Sequence, residues 1–295
     1  MKIYDCFIYF DEELLLDVRL NVLDKFIHKF VIVESRYSHR GEKREPSFEY
    51  KKFNKFKNKI EYILLDDYPK NLHKINKDDK QINEKIIVNG NLREFYQRNA
   101  IINGLSEASE DDLIIISDVD EIPILDGINL NEINNKIVFF NQIFCCYKFN
   151  LYSKMKWCGS RMIKKKYLKN PQWLRDIKDR NYPKWRLDTY FSQKKYNNIK
   201  FIENGGWHFT CVKSPEEVHK KLLSYLHHQD YENSKINLNE LKVKMKNKNI
   251  LYDHNLDKKN NNKWNSDKKL VKINSDYLPE YLIKNTGKYK EWLEN

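Results

Sequence analysis

The chain is poor in residues that break regular structure: eight glycines and seven prolines in 295 positions. That scarcity excludes long flexible linkers, collagen-like repeats and Pro/Gly-rich disorder. Cysteine is sparse and unpatterned, at Cys6, Cys145, Cys146, Cys158 and Cys211. The number is odd, two are adjacent and no CxxC pair occurs, so neither a disulfide framework nor a zinc ribbon is spelled out. A reducing compartment fits that usage. No apolar run approaches the roughly 20 residues needed to span a bilayer. The opening "MKIYDCFIYF" is interrupted by polar residues and meets "DEE" at once, unlike a signal peptide. Internal repeats are also absent.

Charge and aromatic area are plentiful instead. The formal charge is +12, with 14% aromatic and 40% hydrophobic residues, enough for the core of a large domain. A basic balance suits a polyanionic partner: nucleic acid, a membrane surface or a phosphorylated small molecule. The lysines are scattered rather than striped, and Lys, Asn and Ile recur throughout. Compositional bias explains such charge as well as a partner does. No nucleic-acid partner is expected, and peripheral membrane contact stays open.

Residues 3–10, "IYDCFIYF", are β-branched and aromatic and read as a strand. Apolar residues at helical spacing follow in "DEELLLDVRLNVLDKFIHKF". "FVIVES" (30–35) and "KIEYILLDDYP" (59–69) are further strands, and residues 70–90 read as polar and irregular. Asn91 with Glu94 looks like the start of a helix through "LREFYQRNAIINGLSEA", and "DLIIIS" is a fourth strand. This β-α-β-β-α-β order predicts an α/β fold with a mostly parallel sheet.

The second half is less regular. Residues 136–152 read as a strand pair or one long strand, and 170–186 as an aromatic loop. "KFIENGGWHFT" (200–210) reads as a strand broken at Gly205-Gly206. "SPEEVHKKLLSYLHH" is a helix with Ser214 as cap, Pro215 first and Glu217 closing a capping box. Beyond residue 229 a weakly packed, Lys/Asn-rich extension is expected, with short helices near 237–246 and 277–294.

Three stretches carry chemistry. In "LIIISDVDEIP" (113–123) a buried strand ends in Asp118, Asp120 and Glu121. Extended spacing points Asp118 and Asp120 to one side, where they repel unless a cation or proton intervenes. Hard divalent ions such as Mg²⁺ and Mn²⁺ take such oxygen ligands and keep positions for phosphates. A solvated turn would carry the same acids. In "ENGGWHFT" the glycine pair delivers Trp207 and His208 to a fixed place, His208 being a third metal ligand or an ordinary polar residue. In "REFYQRN", Arg93, Glu94, Gln97 and Arg98 share one helix face, suited to phosphate recognition or to mutual ion pairing.

Five blocks in one order, "YDCFIYFDEELLLDVRL", "FVIVES" with a downstream "RG", "REFYQRNAI", "LIIISDVDEIP" and "GGWHFT…SPEEVHKKLLSYLHH", resemble glycosyltransferase family 17 across roughly residues 3–230. This is the family of the β-1,4-mannosyl-glycoprotein 4-β-N-acetylglucosaminyltransferase. The resemblance implies a GT-A fold: a Rossmann-like sheet with helices on both faces and a DxD loop. It divides the chain into a transferase domain at 1–230 (nucleotide-sugar half 1–125, acceptor half 126–230) and an extension at 231–295. It implies inverting, metal-dependent transfer from a UDP-sugar, UDP-GlcNAc foremost, to a hydroxyl of a glycan, glycoprotein or glycolipid. Asp118, Asp120 and His208 would hold Mn²⁺ or Mg²⁺. Asp5, Cys6 and Phe7 with Glu34 and Arg36 would cradle the uridine, supported by Arg93 and Arg98. Glu121, Asp176 and Glu203 are the candidates for the base. Trp173, Trp185 and Trp207 are candidate sugar platforms or core residues. With no anchor before the first strand, a soluble cytoplasmic enzyme is expected. A metal-dependent nucleotidyl- or phosphotransferase, and a basic nucleic-acid-binding protein, are the rival readings.

Overall fold

In the computed structural model, residues 1–76, 78, 80–225, 228–254, 261–264 and 266–295 are described. The first half runs β1 (Ile3–Tyr9), α1 (Glu13–Leu23), β2 (Lys29–Ser35), β3 (Ile60–Leu65), α2 (Ile82–Asn99), β4 (Leu113–Asp118) and β5 (Glu121–Pro123). The second half runs β6 (Ile137–Cys146), β7 (Leu151–Lys164), α3 (Pro171–Asp176), α4 (Asp188–Phe191), β8 (Ile199–Ile202) and β9 (Gly206–Thr210). It closes with α5 (Pro215–Ser224), α6 (His228–Ser234), α7 (Leu238–Lys246), β10 (Val271–Lys272) and α8 (Glu280–Lys284).

One sheet joins them in the order β3-β2-β1-β4-β7-β6-β9-β5, with β8 on β6 and β10 on β7. The first four strands are parallel, as their continuous apolar runs demand, because both faces are covered. α1 and α8 lie on one face, where Leu16, Leu20 and Leu282 are fully buried. The turn after α2 and α3 cover the other, with Ile101, Leu105 and Leu174. From β7 onward the sheet is mixed: β7 runs antiparallel to β4 and β6, while β8 and β9 run parallel to β6. The register pairs Ile8 with Asp118 and Tyr9 with Glu34, so three parallel strands end at one level. Ligands bind in that crevice of an open α/β sheet.

Three local expectations are corrected. α2 begins at Ile82, inside the stretch expected to be irregular, and Asn91 is no cap: its amide donates to the Ile87 carbonyl at 3.0 Å. The helix is extended by a tertiary bond, since the buried Asn89 amide accepts from His73 N–H and donates to His73 O. Residues 171–176 are helical, not loop, because Asn170 accepts the Trp173 N–H and Pro171 pre-sets the first turn. The tail packs firmly: Tyr231, Leu241, Trp264, Leu270, Leu282 and Tyr289 are all buried. Its apolar residues come singly or in runs of two or three among Lys and Asn, which hid them from a compositional reading. The helix expected at 277–294 is α8 plus a single turn at Lys290–Trp292. Leu226 and His227, the predicted end of α5, lie outside the described residues.

Candidate active site

A cavity of about 660 Å³ opens at the carboxyl ends of β1, β2 and β4. Tyr9, Ser35, His39, Glu94, Gln97 and Asp118–Asp120 line one side. Phe144, Trp157, His208, Lys221, Tyr252 and Trp264 line another.

The loop after β4 is held from beneath by Arg19. This fully buried guanidinium donates to the carbonyls of Asp118 (3.1 Å), Val119 (3.3 Å) and Glu121 (2.6 Å). Its other edge pairs with both oxygens of buried Asp5, at 2.8 and 2.6 Å. Arg19 thus fixes the backbone that aims the aspartates, and an arginine fork suits that many acceptors. Gln97 joins β1 to β2 by donating to the carbonyls of Tyr9 (3.3 Å) and Val33 (2.9 Å).

The three acids of the loop have separate surroundings. Asp118 accepts from Arg98 at 2.9 Å and from Arg175 at 3.1 Å, one on each oxygen. Burial would raise its carboxyl, but Arg175 and Arg98 outweigh it and hold the group well below the ordinary range. Asp120 lies 3.5 Å from His208 Nε2 and 3.8 Å from Lys221 Nζ. Burial opposes its ionisation, and His208 and Lys221 overcome it, so this carboxyl is also depressed. Burial would also lower the Lys221 ammonium, yet Glu12 and Asp120 drive it upward. Glu121 is wholly buried and takes four donors: Trp157 Nε1 (2.7 Å), two Arg175 nitrogens (2.9 and 2.7 Å) and the Asp118 N–H (2.9 Å).

His208 reaches Asp120 because β9 pairs with β5, which sets His208 opposite Glu121. The pairing needs glycine at position 206. Its φ is +132°, and a Cβ there would lie 2.1 Å from the Ile122 carbonyl oxygen. Phe144 and Trp157 pack against the imidazole, with ring centroids 4.7 and 4.8 Å away. His208 Nδ1 is buried without a hydrogen-bond partner among the described residues.

Could this site take a divalent ion? Asp120 and His208 present donors 3.5 Å apart, compatible with neighbouring ligands on an ion with bonds of about 2.1 Å. No group of three or more His, Cys, Asp or Glu suited to a metal occurs among the described residues. Two protein donors suffice for an ion that completes its shell with phosphate and water. The pair fits that kind of ion. Asp118 does not complete a triad, because both its oxygens already face guanidinium groups.

The sequence candidates separate clearly. Asp118, Asp120 and His208 converge on the cavity. Asp5, Cys6 and Phe7 lie mid-strand and are buried; the end of β1 that reaches the cavity is Ile8–Phe10. Glu34 is buried and accepts from Ser47 N–H, Phe48 N–H and Tyr62 OH, bracing the loop after β2. Arg36 turns outward to Asp66 and Glu45. Arg93 lies over Gly41 and donates to His39 O, while Arg98 reaches Asp118. Asp176 pairs with Lys194, and Glu203, exposed, pairs with Lys156; neither lines the cavity. Trp207 is core, Trp173 donates to Gln193 O and Trp185 stands 80% exposed; the tryptophans at the cavity are Trp157 and Trp264. Sequence reasoning missed Arg19, Arg175, Lys221, Tyr252 and Trp264. Arg175 sat in "WLRDIKD", already suspected for an acid; the others carried no local signal.

No helix among the described residues is long and apolar enough to cross a membrane. No curated protein matches the chain. Among solved structures it is similar to HddC from Yersinia pseudotuberculosis, at 10% identity over 69% of this chain and 91% of that one, TM-score 0.33. It is similar also to the inositol-1-phosphate CTP transferase from T. maritima, at 11% identity over 82% of this chain and 96% of that one, TM-score 0.29. Likeness at that level carries no argument. The profile of glycosyltransferase family 17, by contrast, matches residues 1–294, essentially the whole length. The chain belongs to glycosyltransferase family 17 and is a glycosyltransferase.

Proposed function

We propose that the chain is a GT-A enzyme that moves a sugar, GlcNAc foremost, from a UDP-sugar to a hydroxyl of a glycan acceptor with inversion. Residues 1–125 serve the nucleotide sugar in this reading, joined at its diphosphate by His208 and Lys221, and the remainder of 126–230 shapes the acceptor side. The observation that carries it is the Asp120–His208 donor pair at the end of β4, flanked by Lys221. Asp120 and His208 would hold Mn²⁺ or Mg²⁺, which when bound supplies Lewis-acid stabilisation of charge on the departing diphosphate. Lys221 adds a half-buried cation beside it. Asp118 keeps Arg98 and Arg175 turned toward the same edge of the cavity. Phe144 and Trp157 fix the imidazole ring and exclude water around it. Inversion requires a base at the acceptor hydroxyl. Glu121, Asp176 and Glu203 do not line the cavity; His39, Asp230 and His254 do, and they are the groups placed to serve in that role.

Calorimetric titration of UDP and UDP-GlcNAc, with Mn²⁺ and with EDTA, tests the reading. Metal-dependent binding that Asp120→Ala abolishes is expected. Binding indifferent to both metal and Asp120 would remove the ion from the reading, and no binding at all would remove the donor.

A further inference from the structure

Outside the cavity, one surface stands apart. Among the described residues, the four most exposed large apolar side chains are Phe191 (89%), Trp185 (80%), Leu187 (75%) and Tyr190 (69%). All lie within seven consecutive positions around α4, which buries no residue. Exposed apolar residues scattered singly need no explanation; four gathered at one tip do.

The tip is braced from below. The Arg186 guanidinium grips both oxygens of Asp188 at 2.9 and 2.7 Å, and Lys195 donates to the same carboxylate at 2.6 Å. At its base, Lys178 N–H donates to Lys194 O, and Tyr182 N–H to Tyr196 O. Trp173 Nε1 donates to Gln193 O. The rings therefore project from a cross-linked base rather than from a loose loop.

The surrounding charge is one-sided. Between residues 178 and 195 there are six basic residues, Lys178, Arg180, Lys184, Arg186, Lys194 and Lys195, against Asp179 and Asp188. Asp188 is already neutralised by two of them. Lys178, Arg180 and Lys184, in the same stretch of chain as the rings, remain exposed. Trp and Tyr favour the headgroup level of a bilayer, Leu and Phe its acyl boundary, and Lys and Arg anionic headgroups. Leu187 and Phe191 offer no polar atom to a nucleic-acid backbone, which favours lipid over a polynucleotide.

We propose that the segment 178–195 is a docking surface for an anionic phospholipid membrane. Trp185, Leu187, Tyr190 and Phe191 would insert among headgroups, with Lys178, Arg180 and Lys184 over the phosphates. Arg175, ten positions before Trp185, contacts Asp118 and Glu121, so one excursion of chain carries both the docking tip and an arginine that braces the loop after β4. Neither insertion nor charge contact depends on what the donor sugar is.

The test is co-sedimentation of the full chain with phosphatidylcholine vesicles, with and without about one-third phosphatidylglycerol. Binding to the anionic vesicles, weakened by added salt, is expected. Trp185→Ser with Phe191→Ser lowers the partition about tenfold or more. Lys178→Glu with Lys184→Glu lowers it about tenfold as well. Both variants keep the wild-type melting temperature and UDP titration, since none of the four residues is in the core or cavity. Equal binding to neutral vesicles, no binding, or unchanged binding by the double variants overturns the proposal. A concentration-dependent dimer lost in Trp185→Ser with Phe191→Ser would give the surface to a second copy. Binding of a single-stranded oligonucleotide lost in those variants would give it to nucleic acid.

Discussion

Beside β1, β2 and β4 the cavity is made of charge, while beside β6, β7 and β9 it is made of rings. On the first side, Arg19 and Asp5 are both wholly buried, and one guanidinium carries three carbonyls of the loop that bears Asp118 and Asp120. On the second, Phe144, Trp157 and His208 pack within 4.7 to 5.6 Å of one another. The two constructions fail differently. A buried ion pair loses everything when one partner goes, because the other is stranded without water. Packed rings lose area in increments. The charged side is therefore expected to fail abruptly on substitution, and the ringed side by degrees.

The comparison breaks most sharply at Arg19. Arg19→Met strands Asp5 and releases the carbonyls of Asp118, Val119 and Glu121. A loss of about 3–5 kcal/mol in urea unfolding is expected. Arg19→Met with Asp5→Leu should recover much of that loss and none of the donor binding, since the loop stays unsupported. Full recovery of binding in the double variant would show that Arg19 has no positioning role.

Gly206→Ala attacks the seam between the two sides. A Cβ at φ +132° meets the Ile122 carbonyl and parts β9 from β5. About 3 kcal/mol is expected from strain and lost pairing. His208 should move off Asp120 with it, weakening any metal response more than a matched loss of stability elsewhere would.

Acid should sharpen the contrast. Asp118, Asp120 and Glu94 all have carboxyls depressed against burial, by Arg175 and Arg98, by His208 and Lys221, and by Arg98 with His39. A depressed group adds stability that is complete above its unfolded value and is lost as pH falls through the folded one. The window thus opens near 3.8 for the aspartates and 4.5 for Glu94 and extends downward. Asp118→Asn should flatten the acid limb of a urea-midpoint profile, while Phe144→Leu, which removes no carboxylate's hydrogen-bond partner, should leave its shape unchanged.

How much of this was legible in the sequence follows the same division. The parallel strands were, because doubly covered strands are written as unbroken apolar runs such as Leu113–Ile116. The acids at the end of β4 and the break before Trp207 and His208 were, because local spacing carries them, but the two arginines that draw Asp118 away from Asp120 were not. Arg19 was not: it sits in α1 among leucines and acts on residues about a hundred positions away. The start of α2 was missed for a similar reason, since a bond from Asn89 to His73 outweighed the local capping pattern at Asn91. Trp264 was missed because its neighbours are Lys and Asn, and Tyr252 because it ends a short apolar run, Ile250–Tyr252, inside a Lys/Asn-rich stretch. Aromatic walls built from a distant stretch leave no spacing rule to read.

Smaller effects belong to the ringed side and its supports. Trp157→Phe keeps the ring but removes the indole N–H from Glu121, whose other three donors remain. About 1–2 kcal/mol is expected. Ser214→Ala removes the cap of α5, where the hydroxyl accepts the Glu217 N–H at 3.3 Å and the Glu217 carboxylate accepts the Ser214 N–H at 2.9 Å. About 1 kcal/mol of stability should go. α5 carries Lys221 at the end of its second turn, so fraying at its start should hardly move the Lys221–Asp120 contact. Thermal melting should fall by a few degrees while UDP affinity holds. A large loss of affinity in Ser214→Ala would mean that α5 positions Lys221 from its first turn, and that the ringed side is as brittle as the charged one.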